Sequence, residues 1–287
     1  MVLAAGLGTR LRPITDAIPK PLVEVDGRSL IDHALDRLAA AGVGHVVVNL
    51  HYKAAMIAAH LTRRDRPRIE LSEETELLDT GGGVARALPL LGETFFVVNS
   101  DVFWLDGRAP ALARLAAAFD PATMDAVLLL QRTATAVGYE GSGDYFLDDK
   151  GNPRRRREGE VAPYLFAGIQ LLHRRLFDEL PGRVFSLVRL FDRAEAAGRL
   201  AAKVHDGEWY HVGTPEGLAL TRERLASHHA ERYGPQPPLP CSTGRYCVKP
   251  VSRPFCDRIR KRKLLFWLHS LGEFPKRANR EFGRAEN

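Results

Sequence analysis

Cysteines are scarce in this chain, and so are long uncharged hydrophobic runs. Only three cysteines occur among the 287 residues, Cys241, Cys247 and Cys256, and their spacing matches neither a paired C-x-x-C metal site nor a clear disulfide framework. No uncharged stretch approaches the roughly 18 to 20 apolar residues that span a bilayer. No basic region followed by a long apolar run opens the chain. We therefore expect free thiols, a cytoplasmic protein and no membrane span.

The charge distribution does not favour nucleic-acid binding, although the chain carries a net charge of +6. Residues 241–287 hold twelve basic and four acidic side chains, so residues 1–240 hold 29 basic and 31 acidic ones. The excess positive charge therefore lies in the tail, which follows the proline-rich stretch GPQPPLP. We predict a folded domain over 1–232, a stiff linker over 233–240 and a poorly ordered basic tail over 241–287. Binding of this tail to a membrane surface or a nucleic acid is the alternative.

Alternating strand and helix patterns predict an α/β fold. Short apolar runs over 2–5, 45–50, 95–100 and 126–131 are typical of buried strands. The segment SLIDHALDRLAAAG repeats apolar residues at helical spacing and ends at Gly42, where a C-terminal glycine is expected. This alternation indicates a mostly parallel sheet covered by helices on both faces. Met1 falls inside the first predicted strand, so we expect this strand to extend upstream of residue 1.

The loop after the first strand has the residue types of a phosphate-binding loop. In such sheets ligands bind beyond the carboxyl ends of the strands, and AAGLGTR lies at such an end. Leu11 replaces the third glycine of a dinucleotide fingerprint, and the Gly-Lys-Ser/Thr of a Walker A loop is missing. Small residues let backbone N–H groups approach a triphosphate, with Arg10 and Lys20 as cations. An ordinary tight turn is the alternative.

The longer segment LAAGLGTRLRPITDAIPKPL resembles the signature of the sugar-1-phosphate nucleotidyltransferases. The resemblance extends to about residue 230. It implies a Rossmann-like domain that joins a nucleoside triphosphate to a sugar 1-phosphate and releases pyrophosphate. It also implies a first set of nucleotide-binding residues: Ala5, Gly6, Gly8, Thr9, Arg10 and Lys20.

A second nucleotide loop is implied by LLDTGGGVARAL at 77–88, which is similar to the segment of the family that reads the base. The nucleotide-binding residues there would be Thr80, Gly81 and Gly82. Consecutive glycines permit a flat ring to approach closely because no Cβ interferes. A flexible turn is the alternative.

Asp101 is the candidate metal ligand, because a carboxylate just past a buried strand is well placed to hold Mg²⁺ against phosphate oxygens. A helix N-cap or turn aspartate is the alternative for Asp101. Asn99, two residues earlier, could bind a sugar hydroxyl or a phosphate. The second metal carboxylate of the family lies in a W-x-D-x-G-T-P-like segment, but this chain has WYHVGTP, with His211 in place of Asp. Three alternatives follow: His211 binds a softer metal such as Mn²⁺, acts through water, or leaves Asp101 as the sole carboxylate. The catalytic residues would be Arg10, Lys20 and Asp101.

The acceptor side follows from two further similarities. GSGD at 141–144 and EGEVAPYLFAGIQ resemble the sugar-facing segments of the family, which implies that Gly143 and Glu160 contact the sugar. Glu160 as a solvated charge is the alternative. Within the family the chain is most similar to bacterial N-acetylmuramate-1-phosphate uridylyltransferases of peptidoglycan recycling, which implies UTP as substrate. A GTP-dependent mannose-1-phosphate guanylyltransferase and a catalytically silent nucleotide-sugar sensor are the alternatives, and both a monomer and a dimer stay open.

Overall fold

A computed structural model describes residues 1–233, and strands alternate with helices along them. The helices are α1 (Ile14–Ala17), α2 (Leu30–Ala40), α3 (Ala54–Leu61), α4 (Asp79–Ala87), α5 (Ala111–Ala118), α6 (Val188–Ala196) and α7 (Pro215–Tyr233). The predicted linker and tail lie outside the described residues, apart from Tyr233, the last residue of α7.

The strands are β1 (Val2–Leu3), β2 (Glu24–Val25), β3 (Arg28–Ser29), β4 (His45–Leu50), β5 (Arg68–Glu73), β6 (Thr94–Asn99), β7 (Val102–Leu105), β8 (Ala126–Arg132), β9 (Ala136–Val137), β10 (Tyr145–Leu147), β11 (Pro153–Arg155), β12 (Tyr164–His173), β13 (Leu200–Val204) and β14 (Glu208–His211). β4 has the bounds that its apolar run predicts. β1 is shorter than predicted, because the Ala4 N–H donates to Asn49 Oδ1 at 2.8 Å instead of continuing the ladder.

The main sheet is mostly parallel, as predicted. Within the described residues it runs in the order β11, β10, β12, β6, β1, β4, β5, with β8 beside β12 and β13 beside β8. β5, β4, β1 and β6 are mutually parallel, whereas β12 is antiparallel to β6, β8 and β10. Only β11 and β12 therefore oppose the other seven strands of this sheet. The carboxyl ends of β1, β4 and β6 consequently meet at one edge.

Helices cover both faces of the main sheet. α2, α3 and α5 pack on one face, and α4 and α6 pack on the other. In β4, Val46 and Val48 belong to the first core and Val47 to the second, because successive side chains of a strand point to opposite faces. Each such side chain contributes about 1.5–3 kcal/mol on burial. Two covered faces therefore explain the continuous apolar runs.

A second, smaller sheet stands beside the carboxyl edge of the main one. It consists of β7, β14 and β9, and it packs with β2 and α7 around a third apolar core that includes Leu11, Phe103 and Tyr210. In the antiparallel pair of β7 and β14, His211 lies opposite Val102. The small sheet thus places His211, near the end of the domain, beside the residues that follow the carboxyl end of β6. Within residues 1–233, no helix is both long and apolar enough to cross a bilayer.

Candidate active site

Lys20 and Asp101 form the centre of the candidate site. Their side chains make an ion pair with Lys20 Nζ 2.8 Å from Asp101 Oδ2. Lys20 is buried in a turn between two prolines, whereas 35% of the Asp101 side chain is exposed. Burial by itself raises the pKa of the Asp101 carboxyl, but the positive charge and hydrogen bond of Lys20 hold this pKa below its ordinary value. Asp101 is therefore ionised at neutral pH and reachable from solvent.

The small sheet brings His211 to the same place. Its ring lies against Gly213, where a Cβ would come 1.9 Å from His211 Nε2, so a side chain at position 213 would displace the ring. Burial lowers the pKa of His211, and the charges of Lys20 and Arg10 lower it further, while Asp101 acts in the opposite direction. His211 is therefore neutral at pH 7. The structure thus assembles Arg10, Lys20, Asp101 and His211 from three distant segments.

The first glycine loop packs against Lys20. Gly8 adopts φ 64°, in the left-handed region, and a Cβ there would lie 3.1 Å from Lys20 Cβ and 3.0 Å from Thr15 Cγ2. Thr15 Oγ1 donates a hydrogen bond to Gly8 O at 2.9 Å, which holds the turn. Both the backbone angle and the close contact therefore favour glycine at position 8. Of the other predicted nucleotide-binding residues in this loop, Ala5 is buried, whereas Gly6, Thr9 and Arg10 are exposed.

The second glycine loop forms the first turn of α4. The N–H groups of Gly81 and Gly82 both donate to Phe185 O, at 2.8 and 3.1 Å. A Cβ at Gly81 would lie 2.3 Å from the Phe185 ring, and one at Gly82 would lie 2.4 Å from Arg183 O. Thr80 Oγ1 accepts a backbone N–H from the same segment at 3.0 Å. These glycines make room for the chain itself, which the sequence did not indicate, and their contact with a base stays a prediction.

Asn99 ends β6 beside a bulge of β12. The pairing of β12 with β8 shifts between Phe166 and Gln170, and Gly168 within this bulge has φ 75°. A Cβ at Gly168 would lie 3.1 Å from Asn99 Nδ2. Gly168 was not predicted as part of the site, although a glycine inside an otherwise apolar strand is a recognised signal for a bulge.

Comparison with known proteins gives the family. The family profile described as nucleotidyl transferase matches residues 1–142. The N-acetylmuramate alpha-1-phosphate uridylyltransferase of Caulobacter vibrioides is 44% identical over 232 residues, which cover 79% of this chain and 96% of that protein. The chain belongs to the nucleotidyl transferase family.

Two further matches to this nucleotidyl transferase family member are less similar in sequence. A probable mannose-1-phosphate guanylyltransferase 3 of Oryza sativa subsp. japonica is 30% identical, with 81% of this chain and 67% of that protein covered. The crystal structure of HddC from Yersinia pseudotuberculosis, complexed with GMP-PN, superposes with a TM-score of 0.63 over 78% of this chain and 97% of that one. At 23% identity this second likeness shows the shared fold.

Of the two residues predicted on the acceptor side of this nucleotidyl transferase, Gly143 is linked to the site. Its N–H donates to the Tyr139 hydroxyl at 3.0 Å, and the Tyr139 ring meets the His211 ring edge-on with centroids 6.2 Å apart. Gly143 has φ 70°, and a Cβ there would lie 2.1 Å from Ala162 O. Only a glycine therefore fits at this position, where the chain before β10 passes the residues that lead into β12.

Glu160 makes its described contacts with the end of β11 and the turn that follows it. The Arg154 guanidinium donates to its two carboxylate oxygens at 2.9 and 3.3 Å, and the Arg157 N–H donates at 2.6 Å. The bond from Arg154 holds the pKa of Glu160 below its ordinary value. These contacts give Glu160 a role in closing the turn after β11, and its contact with a sugar stays a prediction.

The donor set of this nucleotidyl transferase fits a metal ion held mainly by substrate. Within residues 1–233 no three His, Cys, Asp or Glu side chains cluster closely enough to hold a metal. Mg²⁺ commonly keeps several waters and binds one or two carboxylates plus substrate phosphates. The partly exposed carboxylate of Asp101 meets that requirement, whereas neutral His211 would bring no negative charge to such an ion.

A buried polar pair behind the two glycine loops was not predicted. Asn49, at the end of β4, accepts the Ala4 N–H and donates from Nδ2 to Glu74 Oε1 at 2.6 Å. Glu74 Oε2 accepts the Leu78 N–H at 3.1 Å. Both side chains are buried, with 3% and 5% of their surface exposed. Their only sequence signal is a polar residue within or just after an apolar or β-rich run, which does not reveal a partner.

Proposed function

We propose that this protein transfers a nucleotidyl group from UTP to N-acetylmuramate 1-phosphate, forming a nucleotide sugar and pyrophosphate. The observation that carries the proposal is the assembly of Arg10, Lys20 and Asp101 at the carboxyl edge of the sheet. The name of the Caulobacter vibrioides relative supports the choice of base and sugar. Its sugar is a cell-wall component, so we further propose a role in peptidoglycan recycling in the cytoplasm, where nucleoside triphosphates are supplied.

The proposed reaction is an in-line displacement at the α-phosphorus. An oxygen of the sugar phosphate forms a bond to that phosphorus, the bond to the bridging oxygen of the β-phosphate breaks, and pyrophosphate leaves with the electron pair. Because both reactants are anions, Arg10 and Lys20 would reduce their repulsion and stabilise the charge that develops on the leaving group. The protein then needs no covalent nucleophile.

Asp101 is the residue that we propose to hold the divalent ion, Mg²⁺ or alternatively Mn²⁺. When bound, such an ion neutralises charge on the phosphate oxygens and orients them. Neutral His211 would contribute directly or through a water molecule, since its lowered pKa leaves the ring able to accept at neutral pH. A comparison of His211→Asp with the natural chain tests this arrangement, because a second carboxylate should lower the Mg²⁺ concentration that gives half-maximal activity.

The test of the reaction is a matrix of substrates. UTP, GTP, CTP and dTTP are each combined with the 1-phosphates of N-acetylmuramate, mannose, glucose and N-acetylglucosamine, and pyrophosphate release is measured. We expect the highest kcat/KM for UTP with N-acetylmuramate 1-phosphate. Activity confined to GTP with mannose 1-phosphate would refute the proposed substrate pair.

Two other functions are distinguished by the same matrix. A mannose-1-phosphate guanylyltransferase is favoured by the Oryza sativa relative, and it would give activity with GTP. A silent nucleotide-sugar sensor is favoured by His211 in place of a carboxylate, and it would bind a nucleotide sugar without releasing pyrophosphate from any pair of substrates.

A further inference from the structure

We propose that Asn49 and Glu74 are positioning residues that hold the two glycine loops in a fixed relation, and thereby set the affinity for the nucleoside triphosphate. The inference rests on the proposed function in one respect, namely that both loops bind this substrate. The hydrogen bonds that link the loops are independent of that function.

Three hydrogen bonds connect one loop to the other. The Ala4 N–H, immediately before the first loop, donates to Asn49 Oδ1 at 2.8 Å. Asn49 Nδ2 donates to Glu74 Oε1 at 2.6 Å, and the Leu78 N–H, immediately before α4, donates to Glu74 Oε2 at 3.1 Å. The bonded chain thus starts at the backbone of one loop and ends at the backbone of the other. We call Asn49 and Glu74 the loop bridge.

Burial makes the loop bridge sensitive to the direction of each hydrogen bond. Within residues 1–233 the Glu74 carboxylate takes part in none of the ion pairs found, so neutral N–H donors satisfy it. A buried acceptor that faces another acceptor loses its hydrogen bond and has no water to replace it. A change of either side chain should therefore displace the backbone at both ends.

The third glycine of the second loop supports this assignment. A Cβ at Gly83 would lie 2.7 Å from Glu74 Oε1 and 2.8 Å from Asn49 Nδ2. Gly83 therefore makes room for the loop bridge, just as Gly81 makes room for Phe185. Neither Asn49 nor Glu74 is exposed toward a substrate, so their effect must pass through the loops.

The test exchanges the donor and the acceptor of one hydrogen bond in the loop bridge. In N49D the new carboxylate at position 49 opposes that of Glu74, and in E74Q the new amide group must oppose either Asn49 Nδ2 or the Leu78 N–H. In the double variant N49D/E74Q the amide at position 74 donates to the carboxylate at position 49 and accepts from Leu78. Every bond of the loop bridge is then restored with one direction reversed.

We expect each single variant to raise the KM for the triphosphate at least about tenfold, with less than about a twofold change in the KM for the sugar 1-phosphate. The double variant should return to within about threefold of the natural KM. D125N is the matched control. Asp125 makes a half-buried ion pair with Arg175 and Arg199 just before β8, at the amino end of this strand, whereas the candidate site lies at the carboxyl edge of the sheet. D125N should lower the melting temperature without changing either KM.

Three results would overturn the proposal: unchanged KM in both single variants, a double variant worse than either single one, or an equal rise of KM in D125N. Amide hydrogen exchange separates this proposal from the proposed function. E74Q should speed exchange at Ala4, across the loop bridge, even if the natural protein binds none of the four triphosphates. Unchanged exchange at Ala4 would refute the link between the loops, whereas a failure to bind would refute the proposed function.

Discussion

Replacing Lys20 by Met is the sharpest test of the candidate site. The substitution removes the ammonium group 2.8 Å from Asp101 and leaves a side chain of similar length in the buried turn. A charge-assisted hydrogen bond contributes about 1.5–3 kcal/mol to stability. Because 35% of the Asp101 side chain is exposed, water compensates for part of this loss, and we expect about 1–2 kcal/mol, below the 3–5 kcal/mol of a fully buried pair.

The expected loss of activity is larger than the loss of stability. Removing one group that stabilises developing charge typically costs about 2.7–4 kcal/mol in the barrier, or about 100- to 1000-fold in kcat. Pyrophosphate release at saturating substrate gives kcat, and urea denaturation gives the free energy of unfolding. Arg64→Met is the matched control. Arg64 makes an ion pair with Asp32, in which Nη1 and Oδ1 are 2.6 Å apart, and this pair is not part of the proposed site. The Arg64→Met variant should lose stability and keep kcat.

The pH dependence of the free energy of unfolding of Lys20→Met tests the ion pair with Asp101 independently. The lowered pKa of Asp101 contributes stability that is fully present above the unfolded value of 3.8 and is lost as the pH falls through the folded value. The difference in unfolding free energy between the natural protein and the variant should therefore shrink below about pH 3.8. A folded variant with near-natural kcat, or an Arg64→Met variant that loses as much activity, would refute the assigned role of Lys20.

Three further predictions concern the two loops and His211. Gly8→Ala should cost about 1–2 kcal/mol because of the left-handed backbone at φ 64°, and its contact with Lys20 should raise the KM for the triphosphate; an unchanged KM would contradict the proposed loop. Gly81→Ala should cost about 1–3 kcal/mol in urea denaturation, because its Cβ would lie 2.3 Å from the Phe185 ring; natural stability would show that the segment before α6 moves aside without cost. The lowered pKa of His211 means that the unfolded chain takes up a proton near pH 6.5 before the folded one does, so stability should fall as the pH drops below about 6.5. His211→Gln should remove part of that fall, and identical pH profiles of the two proteins would contradict the electrostatic environment assigned to His211.

Local patterns in the sequence predicted the repeating elements. The apolar run at 45–50 matches β4 because both faces of the sheet are covered, so every position of the strand after the exposed His45 is buried. The glycine turn at position 8 and the helix over Leu30–Ala40 were likewise predictable. These features depend on backbone angles and side-chain periods within a few residues.

Only the tertiary structure decided which distant side chains meet. Lys20 and Asp101 are 81 positions apart, and the pairing of β14 with β7 brings His211 to them. Strand register depends on packing across the whole domain, which no local period encodes. The same reason explains why the sequence did not show what lies at the Cβ positions of the glycines at 81–83, namely Phe185, Arg183 and the loop bridge; contact of Gly81 and Gly82 with a base stays a prediction. The sequence by itself determined the elements and the charges, and the fold determined their partners.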